Sequence, residues 1–438
     1  MFLFKGDTLK HETEIRGVKY ITISHYNGER DVFEKIGGLI AQSFSSSEVD
    51  KFTKESSLGS DMDTEEDYSH RLALVRSAYQ SKAVFRFREV FCMKTILVLF
   101  GGCSTEHEVS LQSAYGVLTH MDPGRYTPLP VGITREGRWL WYAGPLEHLA
   151  DGTWESRPEA VPCTLTLDRG AGRLLVLDGS GGSLTFDAAF PILHGKNGED
   201  GTVQGLLELT GVPLIGCGVL SSALCMDKDR AHKLAALAGV RVPGSILFRR
   251  GADIHRIAAA AEGLRYPLFV KPVRAGSSFG VSRVDGPEWL AAAVEAAFAH
   301  DREILLEEAV PGFEVGCAVL GNDALTVGAV DEIELSQGFF NYEEKYTLKT
   351  SAIHCPARIS PEQATRIQET AKIIYQALDC RVFARVDLFL TPEGEIVFNE
   401  VNTIPGFTPH SRYPSMMAAA GWGFTTLVSR IIELGVEA

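Results

Sequence analysis

Short apolar runs and stretches with helical spacing alternate along most of the chain. Residues 96–100 form an apolar run, which a Gly-Gly turn separates from apolar positions at helical spacing in residues 109–118. Further apolar runs at 188–192 and 213–215 alternate with helical patterns. This alternation is typical of βαβ units, so residues 93–220 are predicted to form an α/β domain with a parallel sheet.

The pattern changes after this domain to short strands with longer loops between them. Residues 221–306 combine apolar strands with an alanine-rich helix at 288–299, which indicates a small α+β lobe. Residues 307–438 add several strands, a loop at 339–350 and a helix at 361–378. The predicted fold class is therefore α/β followed by α+β, with two lobes after the first domain.

The first part of the chain, residues 1–92, is more polar and carries an acidic run at 61–67. Within it, residues 19–24 read as a strand, and the apolar spacing of residues 31–44 predicts an amphipathic helix. We found no chemistry in this part and expect an appendage of unknown role that is partly disordered. Because Met93 could be a natural start, a fused or misassigned upstream reading frame is one interpretation.

The bulk composition excludes several classes of function. A net charge of −14 over 438 residues argues against nucleic acid as a partner, because phosphate-backbone binding needs a basic surface. The eight cysteines form no CxxC pair and no Cys/His cluster, which fits reduced thiols in the cytoplasm. No apolar run approaches membrane-spanning length, so no membrane insertion is expected.

Two short apolar strands near the C-terminus carry the most informative polar residues. The turn at 391–394 separates them and predicts a hairpin, on which Arg385 and Asp387 share one face of the first strand and Glu400 and Asn402 share one face of the second. Three hard oxygen donors would then converge beside one guanidinium, which predicts a Mg²⁺–phosphate site. The alternative is a salt-bridged hairpin with solvated acids.

Candidate phosphate cations precede this hairpin in the chain. Lys271 ends a predicted strand directly before a Gly/Ser loop at 275–280, where backbone N–H groups can surround a phosphate. This order is not that of a Walker A loop, and an ordinary turn is the alternative. Lys228 is a second candidate, with a solvated lysine on a helix face as its alternative. The strand at 304–307 could pair with an adenine edge, and Glu314 could bind ribose hydroxyls.

Taken together, the order of these motifs resembles the ATP-grasp fold, in which ATP is clamped between a middle and a C-terminal lobe. More narrowly, residues 101–110, 194–201 and 402–408 resemble the D-alanine-D-alanine ligase family. The resemblance runs from Met93 to the end of the chain. It implies a ligase that uses ATP and Mg²⁺ or Mn²⁺, with two metal ions, and that forms a cytoplasmic homodimer.

The resemblance also implies roles for individual residues. Those implied for the first D-alanine, the oxyanion and the reaction are Glu106, Ser277, Tyr346, Arg385 and the backbone of Gly406, with His194 close to the first substrate. Those implied for ATP are Lys228, Lys271, Glu307, Glu308, Glu314 and Lys345. Those implied for the metal ions are Asp387, Glu400 and Asn402. A buried structural histidine is the alternative for His194, and a capping box of Thr105 with Glu108 is the alternative for the start of the helix that follows Glu106.

A two-step reaction follows from the implied roles. ATP phosphorylates the first D-alanine, and the amine of a second substrate attacks the acyl phosphate to give an oxyanion that Arg385 stabilises. Water would hydrolyse the acyl phosphate, so the loop at 338–342 is expected to close as a lid.

Two positions bear on the second substrate, which binds near Ser411 and Arg412. Arg412 stands where housekeeping members commonly have leucine, and the Ser-Arg-Tyr-Pro sequence is similar to the vancomycin-resistance ligases. An arginine makes the pocket polar and suits the hydroxyl of D-serine or D-lactate. Tyr346 is kept as in peptide-forming members, and the nearest histidine, His354, lies beyond the lid. The prediction is a D-alanine-D-serine ligase resembling the VanG type, with D-alanine-D-alanine ligase and a non-catalytic nucleotide-binding protein as alternatives.

Overall fold

The chain divides into two compact units, residues 1–92 and residues 93–438. The computed structural model describes residues 8–15, 18–25, 93–276, 278–335 and 351–437. In the first unit, strands β1 (Thr8–Ile15) and β2 (Val18–His25) form an antiparallel hairpin. The strand predicted at 19–24 lies in β2, whereas the helix predicted at 31–44 lies outside the described residues.

The second unit begins with a seven-stranded sheet of order β8-β7-β6-β5-β4-β3-β9. Its strands are β3 (Lys94–Gly101), β4 (Tyr126–Ile133), β5 (Trp139–Tyr142), β6 (Ala160–Leu165), β7 (Arg173–Val176), β8 (Ser183–Thr185) and β9 (Ala188–Pro191). The parallel pairing predicted for this domain is present, because β3 pairs in parallel with β4 and β9. The sheet also contains an antiparallel meander of β5 to β8, which was not predicted. The run at 213–215 contributes a single bridge, Ala189 to Leu214, rather than a strand.

Helices cover this sheet and lead to the next one. They are α1 (His107–His120), the short α2 (Glu147–Ala150), a 3₁₀ turn (Trp154–Ser156), α3 (Thr202–Thr210), α4 (Val219–Met226) and α5 (Lys228–Leu237). Most of β3 is fully buried, as expected for the continuous apolar strand of a covered parallel sheet. Asp227 caps α5 by accepting a hydrogen bond from the Arg230 amide.

A four-stranded antiparallel sheet follows, in the order β10-β13-β11-β12. Its elements are β10 (Ser245–Arg249), α6 (Ile254–Leu264), β11 (Leu268–Pro272), β12 (Ser282–Val284), α7 (Pro287–His300) and β13 (Glu303–Glu308). The alanine-rich helix predicted at 288–299 is α7, which begins with a proline at its first turn, where the missing N–H costs no hydrogen bond. Leu268, Val270, Ile304 and Leu306 are buried against the two helices.

A five-stranded antiparallel sheet completes the unit, in the order β16-β15-β14-β17-β18. Its strands are β14 (Phe313–Leu320), β15 (Thr326–Leu335), β16 (Ser351–His354), β17 (Phe383–Leu390) and β18 (Ile396–Asn402), and its helices are α8 (Pro361–Ala377), α9 (Arg412–Ala419) and α10 (Phe424–Glu437). A capping box of Ser360 and Gln363 starts α8. In the described residues, every helix is too short or too polar to cross a membrane.

The first sheet and the C-terminal segment share one hydrophobic core. Side chains of α10, among them Leu427 and Ile431, are buried in the same cluster as Ile96, Val98 and Phe190. Phe407, in the segment that links β18 to α9, and Tyr413, at the start of α9, join this cluster. This packing fixes the segment after β18 beside α1.

Candidate active site

A cleft of about 420 Å³ lies between the four-stranded and five-stranded sheets, a volume typical of small-molecule sites. Its walls include apolar side chains such as Phe269, Val281 and Phe389. Six residues predicted from the sequence line it: Lys228, Lys271, Glu307, Glu308, Glu314 and Glu400. The structure therefore brings five of the six residues predicted to bind ATP, and one predicted metal ligand, to a single cleft.

The hairpin of β17 and β18 has the side-chain arrangement predicted from its alternation. Arg385 pairs with Asn402 and Asp387 pairs with Glu400 across the strands, and the register shifts after Asp387 at a β-bulge. Directly opposed residues project to the same face of a sheet. Arg385 donates two hydrogen bonds to Asp387, of 2.8 and 2.7 Å, and Asn402 Nδ2 donates a third of 2.9 Å to Asp387 Oδ2.

The ionisation of Asp387 follows from these contacts. Burial disfavours its charge, but the attraction of Arg385 and Arg412 outweighs burial and lowers the pKa of the carboxyl. The donor set is two carboxylates and one amide oxygen. No group of three or more His, Cys, Asp or Glu side chains within residues 93–276, 278–335 and 351–437 could hold a metal ion by itself. The set fits Mg²⁺, which takes one or two carboxylates and completes its shell with phosphates and water.

Two lysines, Lys228 on α5 and Lys271 on β11, line the cleft. Lys271 is 8% exposed at the end of β11, with Nζ 2.5 Å from Glu307 Oε1. Lys228 begins α5, donates a 3.0 Å hydrogen bond to the carbonyl of Ala275 in the Gly/Ser loop, and lies 3.3 Å from Glu400 Oε2. Lys228 is therefore not a solvated lysine on a helix face. It connects the loop expected to hold phosphate with the carboxylates expected to hold metal.

Glu106 lies where two glycine loops meet. A Cβ at Gly195 would lie 2.5 Å from Glu106 Oε2, and a Cβ at Gly276 would lie 2.7 Å from it, so a side chain at either position would displace the carboxylate. The alternative of a capping box of Thr105 with Glu108 is wrong, because Glu106 itself occupies the N-cap of α1 without a side-chain cap bond. Glu108 instead pairs with Arg135 at 2.6 Å on the surface.

His194 is buried and bonds to the chain through both ring nitrogens. Its Nδ1–H donates to the Ile404 carbonyl at 2.8 Å, so Nε2 accepts from the Ser113 hydroxyl at 2.9 Å. Ser113 Oγ also accepts from the Phe407 amide at 3.1 Å. Burial lowers the pKa of the ring and keeps it neutral. These contacts match the alternative of a structural histidine and hold the segment around Gly406 in place.

Glu199 was not singled out from the sequence, although it belongs to the motif at 194–201. Its Oε2 accepts from the Gly195 amide at 2.8 Å and its Oε1 accepts from the Ile404 amide at 3.0 Å. Burial, and to a smaller extent the nearby charge of Glu106, raise the pKa of Glu199 to about 8. Glu199 thus joins the loop beside Glu106 to the segment that leads to Gly406.

We expect Glu199 to make stability fall as the pH rises from about 5 to about 8. The folded protein keeps this proton up to about pH 8, whereas the unfolded chain loses it near the usual glutamate pKa of about 4.3. The Tm of Glu199→Gln should therefore increase relative to the Tm of the parent protein as the pH rises across this range. Glu108→Gln, on the surface of α1, is the control. A Glu199→Gln difference that stays constant with pH would show that Glu199 is ionised throughout.

The sequence predicts Arg412 for the pocket of the second substrate, and in the structure its guanidinium contacts carboxylates of the chain itself. The side chain is 8% exposed. Nε and Nη2 each donate a 2.8 Å hydrogen bond to Asp331, and Nη1 donates to Glu314 at 3.0 Å and lies 3.4 Å from Asp387. A Cβ at Gly316 would lie 2.5 Å from Nη2, so this glycine makes the space for the guanidinium.

Ser411 is placed against the expected oxyanion segment. Its Oγ accepts from the Thr408 amide at 3.0 Å, and a Cβ at Gly406 would lie 3.2 Å from this oxygen. Ser277, Lys345, Tyr346 and the lid at 338–342 lie outside the described residues. The roles expected for them stay predictions.

The two antiparallel sheets, with lysines on one side of their cleft and a carboxylate hairpin on the other, define a protein of the ATP-grasp class. The family models described as D-ala D-ala ligase N-terminus and D-ala D-ala ligase C-terminus match residues 95–217 and 234–433. The chain belongs to the D-alanine-D-alanine ligase family, whose members use ATP.

Three relatives show the breadth of this similarity. The vancomycin B-type resistance protein VanB of Enterococcus faecalis V583 is 46% identical over 78% of this chain and 98% of its own length. The D-alanine–D-alanine ligase of Caldicellulosiruptor bescii is 43% identical over 78% of this chain and 95% of its own length. The crystal structure of the VanG D-Ala:D-Ser ligase from Enterococcus faecalis is 54% identical with a TM-score of 0.74, over 78% of this chain and 100% of that chain.

Proposed function

We propose that this protein is an ATP-dependent ligase that joins D-alanine to D-serine through a D-alanyl phosphate. The observation that carries the proposal is the convergence of Lys228, Lys271 and Glu400 on one cleft, in a chain 54% identical to a solved D-Ala:D-Ser ligase. Asp387 lies directly opposite Glu400 across the hairpin. A protein that only binds a nucleotide would not need both the metal-binding pair Asp387 and Glu400 and a carboxylate for the substrate, Glu106, in addition to the lysines.

The proposed first step is the phosphorylation of the carboxylate of D-alanine. Glu106 would bind the ammonium of this substrate from between the two glycine loops. Lys271 and Lys228 would hold phosphates, and Lys228 is positioned to do so beside Glu400. Mg²⁺, held by Asp387, Glu400 and Asn402, would offset the charge that accumulates as the carboxylate approaches the γ-phosphate.

The proposed second step is the attack of the D-serine amine on the acyl phosphate. The C–N bond forms as the carbonyl becomes an oxyanion, and the C–O bond to phosphate then breaks, with its electrons leaving on the phosphate. The nitrogen loses one proton, which the released phosphate can accept. Arg385, fixed by two hydrogen bonds to Asp387, and the backbone N–H of Gly406 would stabilise the oxyanion. The product would be a precursor for the peptidoglycan of vancomycin-resistant cells, as the names of the relatives suggest.

The preference for D-serine is proposed to depend on Arg412 indirectly. Arg412 begins α9 directly after Ser411, and its ion pairs fix that end of the helix against Asp331 and Glu314. A leucine could not make these contacts, so the backbone around Ser411 would be held differently. D-Alanine-D-alanine ligase is the second candidate, because a 43% identical relative carries that name.

The deciding assay measures phosphate release from ATP with D-alanine plus D-serine, D-alanine or D-lactate at neutral pH. We expect kcat/KM to be highest for D-serine as the second substrate. A value for D-serine no higher than that for D-alanine would contradict the proposed specificity and favour the second candidate. An absence of turnover with all three would contradict ligase activity and favour a nucleotide-binding protein.

A further inference from the structure

His232 lies behind the cleft, where the two sheets come together. It follows Lys228 by one turn of α5, so both side chains lie on the same face of the helix. The ring is 4% exposed and packs edge-on against Phe398 of β18, with centroids 5.5 Å apart. No sequence motif pointed to this residue.

One ring nitrogen of His232 completes the β-bulge in β18. Nε2 lies 2.8 Å from the carbonyl oxygen of Asn399. A carbonyl only accepts, so Nε2–H is the donor. Asn399 is the extra residue of the bulge, because the cross-strand pairs pass from Asp387 with Glu400 directly to Leu388 with Phe398. A bulge leaves its extra residue outside the ladder, and His232 supplies the partner that the ladder does not.

The other ring nitrogen faces the adjoining lobe. Nδ1 lies 4.0 Å from Glu307 Oε2, and neither atom has a hydrogen-bond partner in the described part of the chain. Glu307 in turn holds Lys271 through its other oxygen. Burial lowers the pKa of His232, so the ring is neutral and Nδ1 carries a lone pair. The hydrogen bond from Nε2 to Asn399 is therefore the contact that fixes the orientation of the ring.

We propose that His232 is a positioning residue of the metal site: by donating Nε2–H to Asn399, it fixes the bulge that sets Glu400 opposite Asp387. If the turn end of the hairpin kept its register, loss of the bulge would put Asn399 opposite Asp387 and move Glu400 one position along, and in a strand such a step reverses the face to which side chains point. This inference rests on the metal role proposed for Asp387 and Glu400.

Three substitutions separate the contacts of the ring. His232→Gln places an amide nitrogen near Nε2 and keeps the donor to Asn399, whereas His232→Asn places its amide near Nδ1 and loses that donor. His232→Phe keeps the ring shape and loses both nitrogens. His120→Phe is the matched control, since His120 Nδ1 makes a bond of the same 2.8 Å length to a backbone carbonyl on α1, away from the cleft.

The measurement is the binding of Mn²⁺ in the presence of ADP. Binding is measured as the decrease in the electron paramagnetic resonance signal of free Mn²⁺. We expect the Kd to rise about five- to tenfold in His232→Phe and His232→Asn, the effect of losing one buried hydrogen bond, and to stay within about twofold in His232→Gln and His120→Phe. Wild-type binding by His232→Asn, or equal weakening in His232→Gln and His232→Asn, would overturn the inference. This comparison remains decisive if His232→Phe does not fold.

Glu400→Gln distinguishes this inference from the proposed function on which it rests. If Glu400→Gln binds Mn²⁺ and ADP as tightly as the parent protein, the metal role of Glu400 is wrong. If Glu400→Gln weakens binding while His232→Phe and His232→Asn do not, the metal role stands and the positioning role of His232 is wrong.

Discussion

Replacing Arg412 with leucine is expected to destabilise the folded protein by about 3–5 kcal/mol, the usual cost of removing one partner from a buried ion pair. The substitution leaves Asp331 buried without its two hydrogen bonds and removes one cation from beside Asp387. The free energy of unfolding, measured by urea denaturation, tests this expectation. We also expect the ratio of kcat/KM for D-serine to that for D-alanine to fall.

Two further variants isolate the cause of this destabilisation. Arg358→Leu removes an arginine that pairs with Glu332 but is half exposed, so its loss should cost about 1 kcal/mol or less. Adding Asp331→Asn to Arg412→Leu should restore part of the stability, because one uncompensated buried charge disappears. An Arg412→Leu protein as stable as Arg358→Leu would contradict the buried network. A substrate ratio that does not change would remove Arg412 from the account of specificity.

Replacing Arg385 with glutamine is expected to lower kcat by about 10²- to 10³-fold, the effect typical of losing one donor to a developing oxyanion. Arg385 lies outside the residues that line the nucleotide cleft, so the KM for ATP should change little. Steady-state kinetics with ATP, D-alanine and D-serine separates the two constants. Arg381→Gln, an exposed arginine four residues earlier, is the control.

A different result would reassign Arg385. If Arg385→Gln raises the KM for ATP and leaves kcat unchanged, the guanidinium contributes to nucleotide binding through Asp387 rather than to the oxyanion. Arg385→Lys adds a second criterion, because lysine keeps the charge but cannot form the two-pronged contact with the carboxylate. We expect its kcat to lie between those of the parent protein and Arg385→Gln.

Much of the metal hairpin could be predicted from local sequence. The period of two in a strand places Arg385 with Asp387 and Glu400 with Asn402, and a turn containing glycine closes the hairpin. The register across the strands could not be predicted, because the bulge at Asn399 depends on a contact with α5, far away in the chain. Sequence spacing also could not show that the meander β5 to β8 pairs antiparallel, since its short apolar runs carry no strand direction.

The sequence by itself determined the family, and it supplied the residue types that are proposed for the nucleotide and metal site, because these depend on local periodicity and on motifs in a characteristic order. Only the tertiary structure decided what the buried charges do. Whether Arg412 faces a substrate or other side chains depends on Asp331 and Glu314, which lie 81 and 98 residues away in the chain. The role of His232 likewise depends on Asn399, 167 residues later. A charged or polar side chain takes its partner from whatever packing brings within about 3 Å, and no local pattern records that partner.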